Sequence, residues 1–371
     1  MFYVVKRQNP KIKELTWDLI LSGKEIHPYD WFSKQPTGTV TRVTDEYSLP
    51  LGKLYKIDRA LENFCIKYKS LYEQDRHKLY YKFYIPKSSG GKREINAPTP
   101  ELKAALNELK YILENVCDAL YHTSAFAYVK GRSIKDLDMK HALNESNWFL
   151  KTDFKDFFPS ISFQFLMQML GQIYPFVYVN QQALKEAIEL AMLDGGLPQG
   201  SPLSPMLSNL VMIPFDFKMF QWCCARHMVY TRYADDITIS AEYMFNQNTV
   251  LKTMLKFIVD INAPLRLNSE KTRFVSNRGK NWLMGLMLNP DHKVTIGHKR
   301  KQRMKAALCN FLLDTLHGKI WSVDAAMSLQ GKYAYYHMIE GSYFDYVVSR
   351  LNNKFNADVL DLLSKTISRS L

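Results

Sequence analysis

Residues 228–240 have the sequence MVYTRYADDITIS. On both sides of Asp235 and Asp236, β-branched and aromatic residues alternate with polar ones, which predicts a strand, a tight turn and a second strand. The turn places two carboxylates side by side, where they repel each other unless a cation lies between them. Hard oxygen ligands on a rigid turn suit Mg²⁺. Because aspartate is also a common turn residue, this segment alone leaves an ordinary acidic hairpin open.

A second acidic segment, WFLKTDFKDFFPS, covers residues 148–160. Its pattern predicts a strand that ends at Asp153. This carboxylate lies far from Asp235 along the sequence, so only tertiary structure can bring the two together. We therefore expect the two segments to form neighbouring strands of one sheet, which would bring three carboxylates close to one another. The alternative is a strand-end carboxylate without a chemical role.

Residues 79–98, LYYKFYIPKSSGGKREINAP, form a basic segment ahead of both acidic ones. The pattern predicts two strands joined by a flexible, glycine-containing turn. Such a hairpin can close over a triphosphate, with Lys87 and Arg93 neutralising phosphate oxygens. A solvated basic hairpin remains the alternative.

A glycine- and proline-rich loop, GGLPQGSPLSP, covers residues 195–205. It precedes a predicted helix from Met206 to about Arg226, which Ser204 can cap and Pro214 should kink. A glycine-rich loop that runs into a helix lets the backbone approach a nucleotide closely. We therefore expect this loop to lie close to a bound nucleotide.

The composition indicates a globular protein with a polyanionic partner. The 371 residues are enough for two or three domains, and 47% of them are hydrophobic. A net charge of +13 favours nucleic acid, although a basic surface alone would also explain it. The five cysteines form no CxxC pair and no zinc spacing is present. With no signal peptide and no bilayer-length apolar run, we expect a cytoplasmic protein that does not enter the membrane.

The character of the chain changes after Gly297. Residues 298–305, HKRKQRMK, are strongly basic, and the pattern from there onward predicts helices. A basic helical region can hold a nucleic-acid duplex by its backbone and 2′-hydroxyls, whereas a solvated helix face is the alternative. Residues 1–50 carry no pattern to which we assign chemistry.

Together these segments resemble reverse transcriptases, and within them the retron type. The motifs follow the order of that family: YIPK at 84–87 with Arg93, KTDF at 151–154, LPQGSPLSP at 197–205, YTRYADD at 230–236, NSEKT at 268–272 and WLMG at 282–285. The resemblance implies an α+β right-hand polymerase fold with fingers, a palm of antiparallel sheet plus helices, and a small helical thumb. The expected division is an N-terminal extension over 1–50, fingers with part of the palm over 51–147, palm over 148–290 (with about 160–200 partly fingers) and thumb over 291–371.

The resemblance also implies a role for each matching residue. Asp153, Asp235 and Asp236, with the main-chain carbonyl of Phe154, would hold two Mg²⁺ ions, for which Mn²⁺ could substitute. Phe158 would crowd a ribose 2′-hydroxyl and so select deoxynucleotides. The remaining assignments are nucleotide binding by Lys87, Arg93, Gln199, Gly200 and Lys271, a primer grip at Trp282, Leu283, Met284 and Gly285, and nucleic-acid binding by Lys130, Arg132, Lys299, Arg300, Lys301, Arg303 and Lys305.

The function implied by the resemblance is RNA-directed DNA synthesis from dNTPs. A dedicated noncoding RNA would serve as template and, through a guanosine 2′-hydroxyl, as primer, giving branched or RNA-linked single-stranded DNA. The resemblance further implies anti-phage defence with a separate effector protein. Because no residues remain for an RNase H domain after the expected thumb, we also expect a stand-alone polymerase whose RNA is removed by other proteins. Two alternatives stay open: a defence or abortive-infection reverse transcriptase with another priming scheme, and a catalytically idle RNA-binding scaffold.

Overall fold

A computed structural model describes residues 51–86, 90–117, 121–173, 176–276 and 281–368. The N-terminal extension over 1–50 and the phosphate-binding assignment of Lys87 lie outside the described residues. The chain divides into two compact units. The first unit contains the described residues up to Gly131, together with Leu150–Ile239 and Asn246–Phe274, and the second contains Arg132–Phe149, Ser240–Phe245 and the described residues from Val275 onward.

A four-stranded sheet carries both acidic segments. Its strands are β3 (Trp148–Asp153), β4 (Val229–Tyr233), β5 (Asp236–Ala241) and β6 (Arg273–Ser276), and their order is β4-β5-β3-β6. The prediction that the two acidic segments form neighbouring strands is therefore confirmed. The polar residues of the alternating pattern are buried too, as Thr231, Arg232 and Thr238 show. Because successive residues face opposite sides of a strand, both faces of β4 and β5 are covered.

The predicted basic hairpin is present in the first unit. Strand β1 (Tyr80–Pro86) pairs antiparallel with β2 (Lys92–Pro98), in a register that places Ile85 opposite Arg93. Helix α3 (Pro100–Cys117) follows directly and begins at Pro100. Proline suits this position because a backbone N–H in the first turn has no partner within the helix. The hairpin is thus tied to a helix whose buried face includes Leu102, Leu106 and Leu109.

The helix predicted from Met206 to Arg226 is in fact two helices. Helix α8 (Ser204–Val211) ends before Met212, and α9 (Ile213–Cys224) begins directly after it, with Pro214 in its first turn. Proline is tolerated in the first turn of a helix but disrupts a helix interior. One helix therefore ends before Pro214 and a second begins there, instead of a single kinked helix. The predicted cap is also wrong, because the Ser204 hydroxyl donates to the Pro198 carbonyl at 2.9 Å and Leu203 is the N-cap residue.

The second unit combines a small sheet with helices. Strands β7 (Asn281–Leu283), β8 (Leu286–Leu288) and β9 (Val294–Thr295) form a three-stranded sheet in that order. The helices predicted after Gly297 are α11 (His298–Leu316), α12 (Val323–Phe355) and α13 (Val359–Ser368), and they pack around a core that includes Leu308, Phe311, Phe344 and Leu363.

Helix α12 is interrupted at Glu340, where φ is −133° and ψ is 60°. The Glu340 carboxylate accepts hydrogen bonds from the Thr295 hydroxyl at 2.8 Å and from the Ile296 backbone N–H at 2.9 Å. These bonds to the strand end hold the irregular turn of the helix in place.

Short helices connect these elements. The remaining helices are α1 (Leu51–Lys67), α2 (Lys69–Tyr72), α4 (Ile134–Leu143), α5 (Phe157–Ser160), α6 (Phe163–Leu170), α7 (Gln181–Glu189) and α10 (Gln247–Asp260), with 3-10 turns at Arg76–Leu79 and Phe176–Tyr178. Across the described ranges, no helix has the length and apolar character that crossing a membrane requires.

Candidate active site

The carboxylate turn, residues 233–236, joins β4 to β5. Ala234 is buried and has a left-handed backbone with φ of 57°. This conformation costs a non-glycine residue about 1–2 kcal/mol, so surrounding contacts must hold it. One of them is the Arg232 side chain, whose Nη1 donates to the Ala234 carbonyl oxygen at 3.1 Å. The predicted strand, turn and strand are confirmed, and a neighbouring side chain braces the turn.

Arg232 belongs to a fully buried polar cluster, which we call the Arg232 network. Its Nε and Nη2 donate to the two carboxylate oxygens of Asp216 at 2.7 and 2.6 Å. Its Nη1 also donates to Asn209 Oδ1 at 3.1 Å, and the Tyr230 hydroxyl donates to Asp216 at 2.6 Å. The side chains of Arg232 and Asp216 are both 0% exposed. A buried ion pair of this kind is stable only while every partner is present.

Asp153 lies at the end of β3, directly beside the carboxylate turn. The backbone N–H of Phe154 donates to the Asp235 carbonyl oxygen at 3.1 Å. On the other side, the Asn268 N–H donates to the Asp153 carbonyl oxygen at 2.8 Å. Asp153 is 4% exposed and Phe154 is 1% exposed. Backbone hydrogen bonds therefore fix the β3 end between the turn and the segment that precedes β6.

The ionisation of Asp235 and Asp236 is shifted by burial and by neighbouring charges. Burial, together with the charges of Asp235 and Asp153, raises the pKa of Asp236 to about 6. Burial also raises the pKa of Asp235, where Asp153 adds to the shift. Lys271 and Arg93 act in the opposite direction on both carboxyls. Raised carboxyl pKa values from burial and like charges are typical of functional sites.

Lys271 forms an ion pair with Asp153. Its Nζ lies 2.6 Å from Asp153 Oδ2, and the Thr152 and Thr272 hydroxyls are hydrogen-bonded at 2.8 Å beside it. The lysine side chain is 64% exposed, whereas that of Asp153 is 5% exposed. The hydrogen bond to Asp153 raises the pKa of Lys271. Lys271 was predicted to bind nucleotide, and the structure places it directly on a candidate metal ligand.

The carboxylate oxygens of the three aspartates are suitable ligands for a divalent cation, although they are not arranged to coordinate one as they stand. Within the described ranges, no three His, Cys, Asp or Glu side chains are arranged to hold a metal ion as they stand. The Asp153 Oδ1 atom, however, is buried and has no hydrogen-bond partner among the described residues. Buried carboxylate oxygens that lack donors are suited to hard cations. Side-chain movement of the aspartates and of Lys271 would complete such a site.

The predicted nucleotide loop lies against the basic hairpin. The Asn96 backbone N–H donates to the Gln199 carbonyl oxygen at 2.7 Å. Gly200 has φ of 119°, and a Cβ there would lie 2.8 Å from the Asn96 carbonyl oxygen. Only glycine fits this close approach. The structure thus brings Gln199 and Gly200 together with β2, the strand that carries Arg93.

Phe158 is half-buried next to Phe157, at 5.5 Å between ring centroids. Its carbonyl oxygen accepts from the Leu197 N–H at 3.2 Å, which ties it to the glycine-rich loop. The ring of Tyr128 lies 6.4 Å from that of Phe158. Sequence reasoning missed Tyr128, as it missed Asp216 and Asn209, because no local pattern marks a long-range side-chain contact.

The predicted primer-grip residues cover the end of β7 and the β7–β8 turn in the second unit. Met284 and Gly285 both have positive φ, 43° and 88°, and Leu283 is buried. Arg300 donates to the Gly285 carbonyl oxygen, and its guanidinium lies 4.7 Å from the centre of the Trp282 ring. Arg300 therefore braces the turn by a hydrogen bond and a cation–π contact.

The other basic residues predicted to bind nucleic acid differ in their surroundings. Lys301 pairs with Glu340 at 2.5 Å and is less available to a phosphate than its neighbours. Of the predicted basic residues on α11, the exposed ones are Lys299, Arg303 and Lys305. Lys130 is exposed in the first unit, whereas Arg132 belongs to the second.

Comparisons with known proteins identify the family of this chain. Residues 85–309 match the family described as reverse transcriptase (RNA-dependent DNA polymerase). Retron Ec73 reverse transcriptase of Escherichia coli is 28% identical over 293 residues, 75% of this chain and 87% of that protein. Retron Ec83 reverse transcriptase of the same species is 28% identical over 321 residues, covering 83% and 96%. Among solved structures, telomerase from Candida albicans, in complex with an RNA fragment, aligns with a TM-score of 0.44 at 12% identity over 85% of this chain and 68% of that one.

The chain therefore belongs to the reverse transcriptase family, whose activity is RNA-directed DNA synthesis. Within that family it is of the retron type. The predicted α+β fold class and the predicted enzyme class are confirmed, and the family uses divalent metal. The division into fingers, palm and thumb and the roles of individual residues remain predictions.

Proposed function

We propose that Asp153, Asp235 and Asp236 form the catalytic centre of this polymerase. The observation that carries the proposal is the meeting of β3 with the carboxylate turn, joined by the Phe154 to Asp235 backbone hydrogen bond at 3.1 Å. The three aspartates and the Phe154 carbonyl would hold two Mg²⁺ ions, which when bound activate a primer hydroxyl and stabilise the leaving pyrophosphate. The protein's own part is to position the reactants and to neutralise charge.

Substrate positioning is assigned to the residues around this centre. Arg93 would neutralise the triphosphate of the incoming nucleotide, and its electrostatic effect on Asp235 and Asp236 supports this role. Gly200 lets the loop backbone approach the hairpin closely. Phe158 would limit the space at the sugar 2′ position. Lys271 would move from Asp153 to a phosphate oxygen when nucleotide and metal enter.

The nucleic-acid substrate is proposed from the retron resemblance. A dedicated noncoding RNA would supply the template and, through a guanosine 2′-hydroxyl, the primer. The product would be branched or RNA-linked single-stranded DNA, made in the cytoplasm and used with a separate effector protein in anti-phage defence. The exposed basic residues of α11, namely Lys299, Arg303 and Lys305, would contact the RNA backbone. A net charge of +13 supports a polyanionic partner.

Two measurements test this proposal. The purified protein should extend a DNA primer on an RNA template with dNTPs and Mg²⁺, and chelation should abolish the extension. Sequencing the nucleic acid that co-purifies should then yield a single RNA species joined to DNA through a branch. Absence of any extension would contradict polymerase activity and favour an RNA-binding scaffold.

A reverse transcriptase with another priming scheme is the nearest alternative function. It would give DNA linked to protein or free of RNA in the same sequencing experiment, while extension in vitro would persist. The two outcomes therefore separate the priming mode from the polymerase activity.

A further inference from the structure

Tyr128 has an unusual backbone conformation. Its φ is 61°, in the left-handed region, which a bulky aromatic residue rarely adopts. Tyr128 is 55% exposed, so packing of its side chain into the core does not explain this backbone conformation. Strain of this kind persists only where the surroundings impose it, and it concentrates at functional sites.

The surroundings that impose it are part of the Arg232 network. The Asn209 side-chain amide donates to the Ala127 carbonyl oxygen at 2.8 Å, immediately before Tyr128. The backbone of Arg232 exchanges hydrogen bonds with Ser124 and Phe126, at 2.7 and 2.9 Å. The same buried residues therefore fix both Tyr128 and the carboxylate turn.

The Tyr128 ring faces the candidate nucleotide site. Its centroid lies 6.4 Å from that of Phe158, with the two ring planes inclined at 56°. Burial raises the pKa of the Tyr128 hydroxyl, the charge of Asp235 raises it further, and Arg93 lowers it. The hydroxyl is therefore within electrostatic range of both Asp235 and Arg93, and it stays protonated at neutral pH.

We propose that Tyr128 contacts the incoming nucleotide and, with Phe158, forms the wall that determines which sugar is accepted. An aromatic ring beside Phe158 offers a flat apolar surface to a deoxyribose, and a 2′-hydroxyl would have to lose water against it without a partner. The backbone strain is explained because the left-handed turn directs the ring toward Phe158. This inference rests on the proposed polymerase function and adds a specificity residue to it.

Single-nucleotide incorporation by the full-length protein tests the inference. For Tyr128→Ala we expect the KM for dNTP to rise about tenfold, the preference for dNTP over rNTP to fall by a similar factor, and kcat to change less. Tyr128→Phe should keep the KM for dNTP and the preference for dNTP close to the wild-type values, because it retains the ring. Tyr111→Ala, which removes an exposed tyrosine from α3, is the matched control and should leave all three quantities unchanged.

Tyr128→Gly guards against a folding defect, since glycine accepts a φ of 61° without strain. It should show the same rise in KM and the same loss of sugar preference as Tyr128→Ala. A KM and a dNTP preference within twofold of wild type in both variants would overturn the inference, as would a loss confined to kcat. Wild-type protein that incorporates no dNTP would instead overturn the proposed function itself.

Discussion

The ammonium group of Lys271 lies 2.6 Å from Oδ2 of Asp153, the carboxylate at the end of β3. The lysine side chain is largely exposed, while the aspartate is buried at the end of β3 in the four-stranded sheet. A cation supplied by the chain therefore neutralises a residue that we assign to metal binding. Because the lysine occupies Oδ2 and its positive charge repels a cation bound at Oδ1, the ammonium group and a metal ion should compete for this carboxylate.

Removing this competitor should tighten metal binding. Because exposed ion pairs contribute up to about 1 kcal/mol, we expect Lys271→Gln to lower the dissociation constant for Mg²⁺ by up to about fivefold. Lys319→Gln is the control, since Lys319 pairs with Asp314 on α11 and is similarly exposed. Calorimetric titration of the nucleotide-free protein gives both constants. Unchanged or weaker Mg²⁺ binding by Lys271→Gln would show that the two cations do not compete.

The raised pKa of Asp236 predicts a pH-dependent stability difference. A carboxyl whose pKa is higher in the folded than in the unfolded state destabilises the fold above the folded pKa, here about 6. The destabilisation disappears as the pH falls toward the ordinary value of 3.8. With metal chelated, we therefore expect Asp236→Asn to be more stable than wild type at pH 8 by about 1–3 kcal/mol, with the gain shrinking below pH 6.

Thermal denaturation at pH 8, 6 and 4.5 measures this difference. Asp314→Asn is a control of opposite sign, because hydrogen bonds from Trp321 and Lys319 lower the pKa of Asp314. A pH-independent difference for Asp236→Asn, or a loss of stability at pH 8, would contradict the assigned burial of its charge.

The Arg232 network should position the carboxylate turn as well as stabilise the fold. Arg232→Met leaves the Asp216 carboxylate buried without its partner, which costs about 3–5 kcal/mol. The double variant Asp216→Leu with Arg232→Met removes both charges and should recover most of that stability. It cannot restore the hydrogen bond to the Ala234 carbonyl, so we expect primer extension to remain at least about tenfold below wild type.

Tyr230→Phe provides the matched control for this comparison. It removes one hydrogen bond to Asp216 but keeps the guanidinium and its contact with Ala234. Extension by this variant should stay close to wild type. If the double variant regained both stability and activity, the network would be only a stabilising element.

Gly200 should be essential for the contact between the glycine-rich loop and β2. An added methyl group would lie 2.8 Å from the Asn96 carbonyl oxygen, so Gly200→Ala must push the loop away from the hairpin. We expect the KM for dNTP to rise about tenfold or more. Gly195→Ala is the control: it shares a positive φ, 76°, but its methyl group would meet nothing within 4 Å. Steady-state kinetics of both variants distinguish steric contact from backbone strain, and equal effects would contradict the steric explanation.

The sequence predicted those features that depend on local pattern and order. The alternation around Asp235 and Asp236 predicts the hairpin, and the strand that ends at Asp153 was expected beside it. Side-chain contacts between distant segments could not be predicted, because nothing near Asp153 in the sequence indicates Lys271. The same holds for the pairing of Arg232 with Asp216. The pattern around Pro214 predicted one kinked helix and not two helices. Proline distorts the interior of a helix but is tolerated in the first turn of a new one.

The central claim is that aspartates from two distant segments act together at one metal-dependent centre. Its most direct test is primer extension on an RNA template by Asp153→Asn, Asp235→Asn and Asp236→Asn, with RNA binding measured in parallel. We predict that extension falls to the level seen with chelator in all three variants, while RNA affinity stays within about twofold of wild type. Near-normal extension by any one of them would contradict the claim.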